Sequence, residues 1–275
     1  MDDTAPVGVI GGSGLYELLA DPERIEVATP YGPPSAPIAV GELGGRRVAF
    51  LPRHGRGHTF PPHRIPYRAN VWALASLGVR ALVTSSAVGG LVPDAAPGVF
   101  VVPDQYLDRT SGRPGTFFDE DRVEHLAAPD PFDPVLRALA VDALTAEGAV
   151  VRPTGTTVVI DGPRFATRAE SRFHAASGGT TINMTLAPET PLALELGIGV
   201  VNCSFVTDSD SAVERGHEDA VSAALVMQRL RDAQPVIRRA IAAIVARIPE
   251  DFAIEAGVPA DAIAEVLARP AQARS

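Results

Sequence analysis

The sequence predicts one α/β domain, in which helices flank a central, mixed and mostly parallel β-sheet. Apolar, β-branched runs recur along the chain, Gly, Pro or Ser flanks most of them, and helical patterns lie between several. Such runs are typical of strands that are buried on both faces. Their alternation with helices favours a sheet that helices cover. We expect this single domain to span residues 1–275.

The predicted strands are short and apolar. They cover residues 7–10, 47–52, 81–87, 99–104, 156–161, 180–185 and 199–205. The predicted helices between them cover residues 68–77, 133–147, 168–176 and 189–196. Pro134 and Gly148 bracket the second helix, as expected of a proline in the first turn and a glycine just beyond the last.

The last third of the chain is predicted to be helical, over about 217–269. Two amphipathic helices, 217–232 and 235–248, are expected to be separated at Pro235, which lacks the N–H that a helix interior needs. A short helix is expected over 261–268. The tail beyond Arg269 is expected to fray.

Composition argues against several classes of function. The chain has a net charge of −9, all 24 cations are arginine and no basic run is present, so nucleic-acid binding is not expected. No apolar stretch reaches about 18 residues, and the first residues do not resemble a signal peptide. These patterns predict a cytoplasmic protein that spans no membrane. Cys203, the single cysteine, cannot form an intramolecular disulfide and is expected in the core.

A glycine-rich turn follows the first predicted strand. Gly11, Gly12, Ser13 and Gly14 form it, and such turns point backbone N–H groups towards phosphate. Glu17 breaks the dinucleotide pattern G-x-G-x-x-G, which disfavours a dinucleotide fold. We interpret the turn as a site for phosphate or a phosphate-ribose group, with a plain tight turn as the alternative.

A cationic stretch follows the second predicted strand. Arg53, His54, Arg56 and His58 lie within six residues, and arginine forks and imidazolium donors hold anions. The stretch therefore predicts a small anionic substrate, and a solvated loop is the alternative. The two histidines are also candidates for a metal site, but no third ligand is obvious nearby, so we predict no metal.

Small hydroxyl residues and glycines also end the third predicted strand, from Thr84 to Gly90. In parallel α/β sheets, ligands bind outside the carboxyl ends of the strands. Three strand ends of this composition together predict one ligand site at that edge.

The chain resembles the 5′-methylthioadenosine phosphorylase branch of the trimeric purine nucleoside phosphorylase family. The resemblance runs collinearly from Gly8 to about residue 248. It is carried by GVIGGSG (8–14), RHGR (53–56), YRANVWAL (67–74), DQYLDRT (104–110), DGPRFATRAE (161–170), INMT (182–185) and TDSD (207–210).

The resemblance implies a purine nucleoside phosphorylase-like fold and a pentosyltransferase activity. The enzyme would cleave the N-glycosidic bond of 5′-methylthioadenosine, or a related 5′-modified adenosine, with inorganic phosphate as co-substrate and no cofactor. The products would be adenine and 5-methylthioribose 1-phosphate, in a purine-salvage reaction. The family also implies a homotrimer or a dimer of trimers.

The resemblance also implies the roles of particular residues. Phosphate would contact Ser13, Arg53, His54, Ser86, Ala87 and Thr185. The nucleoside would contact Phe165 with its base and Met184 with its ribose. Its 5′ group would meet Val221, Ala223, Val226 and Met227, together with His125 from the neighbouring subunit.

Asp208 is the residue that the resemblance assigns to the leaving purine. Protonation of purine N7 is a general-acid task worth about 10²–10⁴-fold in rate, and burial beside Asp210 would raise the pKa of Asp208. A carboxylate also accepts a hydrogen bond from a 6-amino purine. The 6-oxopurine branch has Asn at this position and Glu in place of Ala166, so both residues favour adenine.

Three alternatives remain. Within the family, a 6-oxopurine enzyme would act on 5′-methylthioinosine, inosine or guanosine. From other classes, a Rossmann-type oxidoreductase or a non-catalytic nucleotide-binding module could use the first glycine turn. Ser209 stands where the family has tyrosine, and the segment 211–216 is about two residues longer and lacks its aromatic. Both departures border the pocket and leave a methylthio, halogen or hydroxyl group open at the 5′ position.

Overall fold

A branched, eleven-stranded sheet forms the centre of the computed structural model, which describes residues 6–120, 122–209 and 223–271. The strands are β1 (Val7–Gly11), β2 (Glu23–Ile25), β3 (Ile38–Leu43), β4 (Arg46–Pro52), β5 (Ala81–Gly90), β6 (Phe100–Val101), β7 (Gln105–Asp108), β8 (Val151–Arg152), β9 (Thr156–Val159), β10 (Thr181–Asn183) and β11 (Gly199–Ser209). The α-helices are α1 (Tyr67–Ser76), α2 (Pro134–Ala146), α3 (Arg168–Ala176), α4 (Leu186–Glu195), α5 (Ala223–Arg247) and α6 (Ala260–Leu267).

The sheet is mixed, with six parallel and four antiparallel pairings among the described residues. Its main path is β2-β3-β4-β1-β5-β10-β9-β7, and β11, β6 and β8 continue from the other side of β5. The predicted fold class is confirmed.

Strand β5 is where the sheet opens. Near its start it pairs with β1, up to Thr84, and near its end it pairs with β10, from Gly89 onward. Among the described residues, 85–88 therefore have no strand partner on that side, while β11 covers the other side. This gap lies at the carboxyl end of β1, where the sequence predicted a ligand site.

Helices cover both faces of the sheet because neighbouring strand residues point to opposite sides. Ile10 packs in a core with α1, α4 and α6, whereas Val9 packs in a second core with α2 and α5. Asp133 caps α2 by accepting a hydrogen bond from the Leu136 N–H at 2.9 Å, Pro134 is its first residue, and Gly148 has a φ of +76°. Both predicted boundary residues of this helix are confirmed.

The predicted break at Pro235 is wrong, because α5 runs through this proline as one helix. Proline removes a single hydrogen bond from the helix, and the buried residues on both sides of it, Leu230 and Ile237, pack in the same core. Tertiary packing therefore holds the helix together. The predicted helical residues 217–222 lie outside the described residues.

Four strands were missed: β2, β3, β7 and β8. Strands β2 and β7 are polar, largely exposed edge strands, and β8 has only two residues, so these three show no buried apolar run. Strand β3 does begin with three buried apolar residues, 38–40, which the sequence analysis overlooked. The predicted strand 99–104 is shortened to β6, ahead of Pro103. Within the described residues, no helix combines the length and apolar character that a membrane crossing requires.

Candidate active site

A cavity of about 450 Å³ occupies the opening of the sheet beside β5. Most of the predicted site residues line it: Ser13, Arg53, His54, Ser86, Ala87, Phe165, Met184, Thr185, Asp208, Val226 and Met227. They come from seven different parts of the chain. Their roles towards a ligand stay predictions.

Of the remaining predicted residues that the structure describes, neither His125 nor Arg56 lines this cavity. His125 is exposed on a segment without regular secondary structure. Asp210, Val221 and the side chain of Ala223 lie outside the described residues. Arg56 is exposed and lines a separate crevice, so the cationic stretch does not act as one unit.

The glycine turn after β1 brings Ser13 to the cavity through a close approach to β5. A Cβ at Gly12 would lie 2.4 Å from the Ser85 carbonyl oxygen, so only glycine fits. The Gly12 N–H donates to Ser85 Oγ at 3.1 Å.

Arg53 is a buried cation with a buried partner. Its Nε and one terminal nitrogen donate to the two carboxylate oxygens of Glu189, each at 2.6 Å, and its other terminal nitrogen donates to the Ser85 carbonyl oxygen at 2.9 Å. Burial lowers the pKa of Arg53, but the charge and hydrogen bonds of Glu189 outweigh burial and raise it overall. These bonds use three of the five guanidinium N–H groups and leave two for an anion.

His54 is neutral in the free protein, so the expectation of an imidazolium at this position is wrong. Burial and the nearby charges of Arg53 and His58 lower the pKa of His54, and together they outweigh the hydrogen bond to the Phe60 carbonyl, which raises it. The pKa of His54 falls to about 4 as a result. Since the Phe60 carbonyl can only accept, Nδ1 carries the proton at this 2.9 Å contact. Nε2 is then an acceptor, which suits the O–H of a hydrogen phosphate.

A buried hydrogen-bond network orients Ser86. Asn202 Nδ2 donates to Ser86 Oγ at 3.0 Å, and Ser204 Oγ donates to Asn202 Oδ1 at 2.6 Å. Because Ser86 Oγ accepts from Asn202, its own hydrogen can point to a ligand. On the segment before α4, the Thr185 N–H donates to Asn183 Oδ1 at 3.3 Å.

A β-bulge places Asp208 at the far end of the cavity. Val206 of β11 pairs with Val88, but Asp208 pairs with Gly89, so Thr207 is an extra residue in the strand. Consecutive side chains of a regular strand point to opposite faces, whereas a bulge re-aims them. Thr207 and Asp208 both line the cavity as a result.

The Asp208 carboxyl is poised to keep a proton. Its side chain is buried, and burial raises its pKa, against the opposing effects of the Thr207 hydrogen bond and the Arg229 charge. Thr207 Oγ1 donates to Asp208 Oδ1 at 2.6 Å. The coupling to Asp210 that we expected stays a prediction, because Asp210 lies outside the described residues.

The two ends of the cavity are separated along β5. Ser86 and the Asp208-paired Gly89 are three residues apart, which corresponds to about 10 Å in a strand. One end therefore offers hydroxyl groups and Arg53, the other a buried acid, and apolar residues lie between and around them. This arrangement can hold an anion at one end and protonate a leaving group at the other.

Sequence reasoning missed several lining residues. These are Pro62, Ile160, Pro163, Ile182, Asn183 and Thr207. Pro163, Ile182, Asn183 and Thr207 stand inside motifs that carried the resemblance. His58, Val88 and Gly89 also line the cavity and belong to the two stretches that predicted a ligand, and Ala166 lines it as the residue expected to favour adenine. The inward position of Thr207 follows from the bulge, which leaves no signal in the sequence.

The fold and the cavity together suit an enzyme that joins an anion to a second substrate with a protonatable leaving group. The chain belongs to the phosphorylase superfamily, whose family model matches residues 6–246.

Several relatives are closely similar. An S-methyl-5′-thioadenosine phosphorylase of Mycolicibacterium smegmatis is 54% identical over 211 residues, covering 76% of this chain and 79% of that protein. A purine nucleoside phosphorylase of Streptomyces coelicolor is 48% identical over 257 residues, covering 88% and 90%. A solved methylthioadenosine phosphorylase of Schistosoma mansoni, in complex with adenine, has a TM-score of 0.83 at 35% identity, covering 88% of this chain and 91% of that one.

We predict that Glu189→Gln lowers the free energy of unfolding by about 3–5 kcal/mol, because it leaves the Arg53 cation buried without its counter-charge. Urea denaturation measures the change. The matched control is Asp142→Asn, which removes the partner of Arg247 from an exposed pair and should cost about 1 kcal/mol or less. Equal losses in the two variants would contradict the structural importance of the buried pair.

The low pKa of His54 predicts a pH-dependent stability. The unfolded state binds a proton near pH 6.5 and the folded state only near 4, so stability contributed by neutral His54 is lost as pH falls through this window. Between pH 7 and pH 5, unfolding free energy should fall by about 2 kcal/mol more in the wild type than in His54→Gln. Urea denaturation at both pH values tests this, and parallel losses would show that His54 titrates normally.

Proposed function

We propose that this protein cleaves the N-glycosidic bond of 5′-methylthioadenosine with inorganic phosphate and releases adenine and 5-methylthioribose 1-phosphate. The observation that carries the proposal is the buried, protonatable Asp208 at the end of a cavity whose other end holds hydroxyl groups and Arg53. Relatives named S-methyl-5′-thioadenosine phosphorylase support this choice of substrate. The products are a reusable purine and a pentose phosphate, which fits a role in purine salvage.

Phosphate binds at the end formed by Ser13, Arg53, Ser86 and Thr185. Because Glu189 neutralises Arg53, hydrogen-bond donors supply much of the attraction, and His54 Nε2 accepts from the phosphate O–H. Phosphate then attacks the anomeric carbon from the face opposite the purine, so the sugar is inverted. Phosphate is a co-substrate, and the chain's own side chains supply the remaining chemistry without a cofactor.

The purine leaves at the other end, where Asp208 hydrogen-bonds or protonates N7. The rise in its pKa favours the protonated form, which can donate to N7 and assist departure of a neutral base. The other carboxyl oxygen accepts from the 6-amino group, whereas a 6-oxo group would place an acceptor against that acceptor. Ala166 lines the same cavity and offers no group to a 6-oxopurine.

The 5′ substituent meets an apolar part of the cavity. Val226 and Met227 of α5 line it, and an apolar surface favours methylthio over hydroxyl. One group of that size is worth only about 1–3 kcal/mol in such a pocket. Another purine nucleoside is the second candidate substrate, because the Streptomyces coelicolor relative is named a purine nucleoside phosphorylase.

Base release from 5′-methylthioadenosine and from 5′-methylthioinosine, with and without phosphate, tests the proposal. We expect release only with phosphate and preference for the 6-amino substrate. Asp208→Asn should lower kcat/KM on that substrate by about 10²–10⁴-fold and raise the relative activity on the 6-oxo substrate, since an amide can donate to a 6-oxo group.

The matched control is Asp133→Asn, which keeps the cap of α2 and lies outside the cavity. It should leave both activities unchanged. Cleavage without phosphate contradicts the reaction, and an unchanged substrate ratio in Asp208→Asn contradicts the role of that residue.

We also propose a homotrimer, alone or as a dimer of trimers, in which His125 completes the 5′ end of a neighbour's cavity. His125 is exposed and lies outside its own cavity. Large apolar side chains are also exposed. Val123, two residues before His125, is 72% exposed, and Phe173, farther along the chain, is 57% exposed. An interface between subunits would bury such surface.

Light scattering should give three or six times the 28.7 kDa chain mass. His125→Ala should raise KM for 5′-methylthioadenosine without changing this mass, because it removes only a side chain from the neighbouring pocket. A monomeric active enzyme contradicts the proposed assembly, and an unchanged KM removes His125 from the site.

A further inference from the structure

Arg113 is a second buried cation, located on the loop after β7 and outside the cavity lining. Its side chain is only 3% exposed. One terminal nitrogen donates to the carbonyl oxygens of Met184 at 2.9 Å and Ala187 at 2.7 Å. The other donates to the carbonyl of Asp161 at 2.8 Å and is 3.4 Å from that of Ile160. The guanidinium thus bridges two separate segments of the chain.

Both bridged segments line the nucleoside side of the cavity, and the second also carries Thr185 of the proposed phosphate end. The segment 160–166 contributes Ile160, Pro163, Phe165 and Ala166 to the lining, and the segment 183–187 contributes Asn183, Met184 and Thr185. The two segments touch at Gly162, where an added Cβ would lie 2.4 Å from Met184 Sδ and φ is +64°. This close approach leaves little room for the distance between the two segments to change, and Arg113 bridges the same two segments.

The surroundings of Arg113 require a guanidinium. Its Nε lies 3.5 Å from Asp161 Oδ1, and its charge lies 5.5 Å from the centre of the Tyr67 ring. A planar fork can direct N–H groups to carbonyls on two segments at once, whereas a lysine ammonium is a single point with three donors. The cation is thus held by backbone dipoles, one carboxylate and one aromatic face.

The phosphate end is fixed by other contacts. Ser13, Arg53 and Ser86 lie at the ends of β1 and β4 and on β5. The turn that carries Ser13 is held by the Gly12 N–H, which donates to Ser85 Oγ, while Arg53 donates to Glu189 and Ser86 accepts from Asn202. Arg113 contacts none of these residues within the described chain. Its loss should therefore disturb the nucleoside side more than the phosphate side.

We propose that Arg113 is a positioning residue that sets the spacing between the base-covering segment 160–166 and the ribose-contacting segment 183–187. It acts through the Met184 and Asp161 carbonyls and does not itself touch the nucleoside. This inference rests on the proposed function, since it assigns these two segments to base and ribose.

Arg113→Lys and Arg113→Met test this role through three measurements. These are KM for nucleoside, KM for phosphate, and the Kd of adenine from calorimetry without phosphate. We expect nucleoside KM and adenine Kd to rise by about ten- to a hundredfold, because a small misplacement of binding groups has effects of this size. Phosphate KM should rise much less, because Thr185 is the one proposed phosphate contact on a segment that Arg113 holds, while Arg53 and Ser86 are held by Glu189 and Asn202.

Arg137→Lys and Arg137→Met are the matched controls, since Arg137 also donates to two backbone carbonyls, those of Pro103 and Pro153, away from the cavity. They should change neither KM. Equal rises in both KM values, or an unchanged adenine Kd, overturn the role of Arg113. Arg113→Lys keeps the charge and decides the matter if Arg113→Met does not fold. A wild-type protein that binds adenine but cleaves no nucleoside overturns the proposed function instead.

Discussion

The pairing of β5 determines where this protein can bind a ligand. β1 covers only the first part of one side of β5 and β10 only the last part, while β11 runs along the whole of the other side. The uncovered stretch between β1 and β10 forms one wall of the cavity, and the ends of β1, β4, β10 and β11 reach it. Ser13, Arg53, Thr185 and Asp208 approach one another because their strands or following segments end there.

Burial then sets the chemistry of each end. At the proposed phosphate end, Glu189 compensates Arg53 and His54 is neutral, so this end of the cavity carries little net charge. At the proposed purine end, burial raises the pKa of Asp208 and favours its protonated form. The same removal of water that would penalise unpaired charges thus leaves one end neutral and favours a proton on the acid at the other.

Much of the fold could be predicted from the sequence, because strands buried on both faces are apolar runs and helices carry caps such as Pro134 and Gly148. The edge strands β2 and β7 could not, since exposed strands lack that pattern. The glycine turns and the motifs that carry the resemblance predicted most of the residues that line the cavity. The bulge at Thr207 lies opposite Val88, 119 residues away in sequence, and the partner of Arg53 is 136 residues away. The neutral state of His54 depends mainly on burial. No local sequence pattern encodes these features.

The central claim is that one cavity holds phosphate at its Arg53 end and a purine at its Asp208 end. A crystal structure of the protein with adenine and phosphate tests it most directly. We predict phosphate within hydrogen-bond distance of Ser13, Ser86 and Thr185, and the Asp208 carboxyl within that distance of adenine N7 and its 6-amino group. Adenine turned away from Asp208, or phosphate bound outside this cavity, would contradict the account.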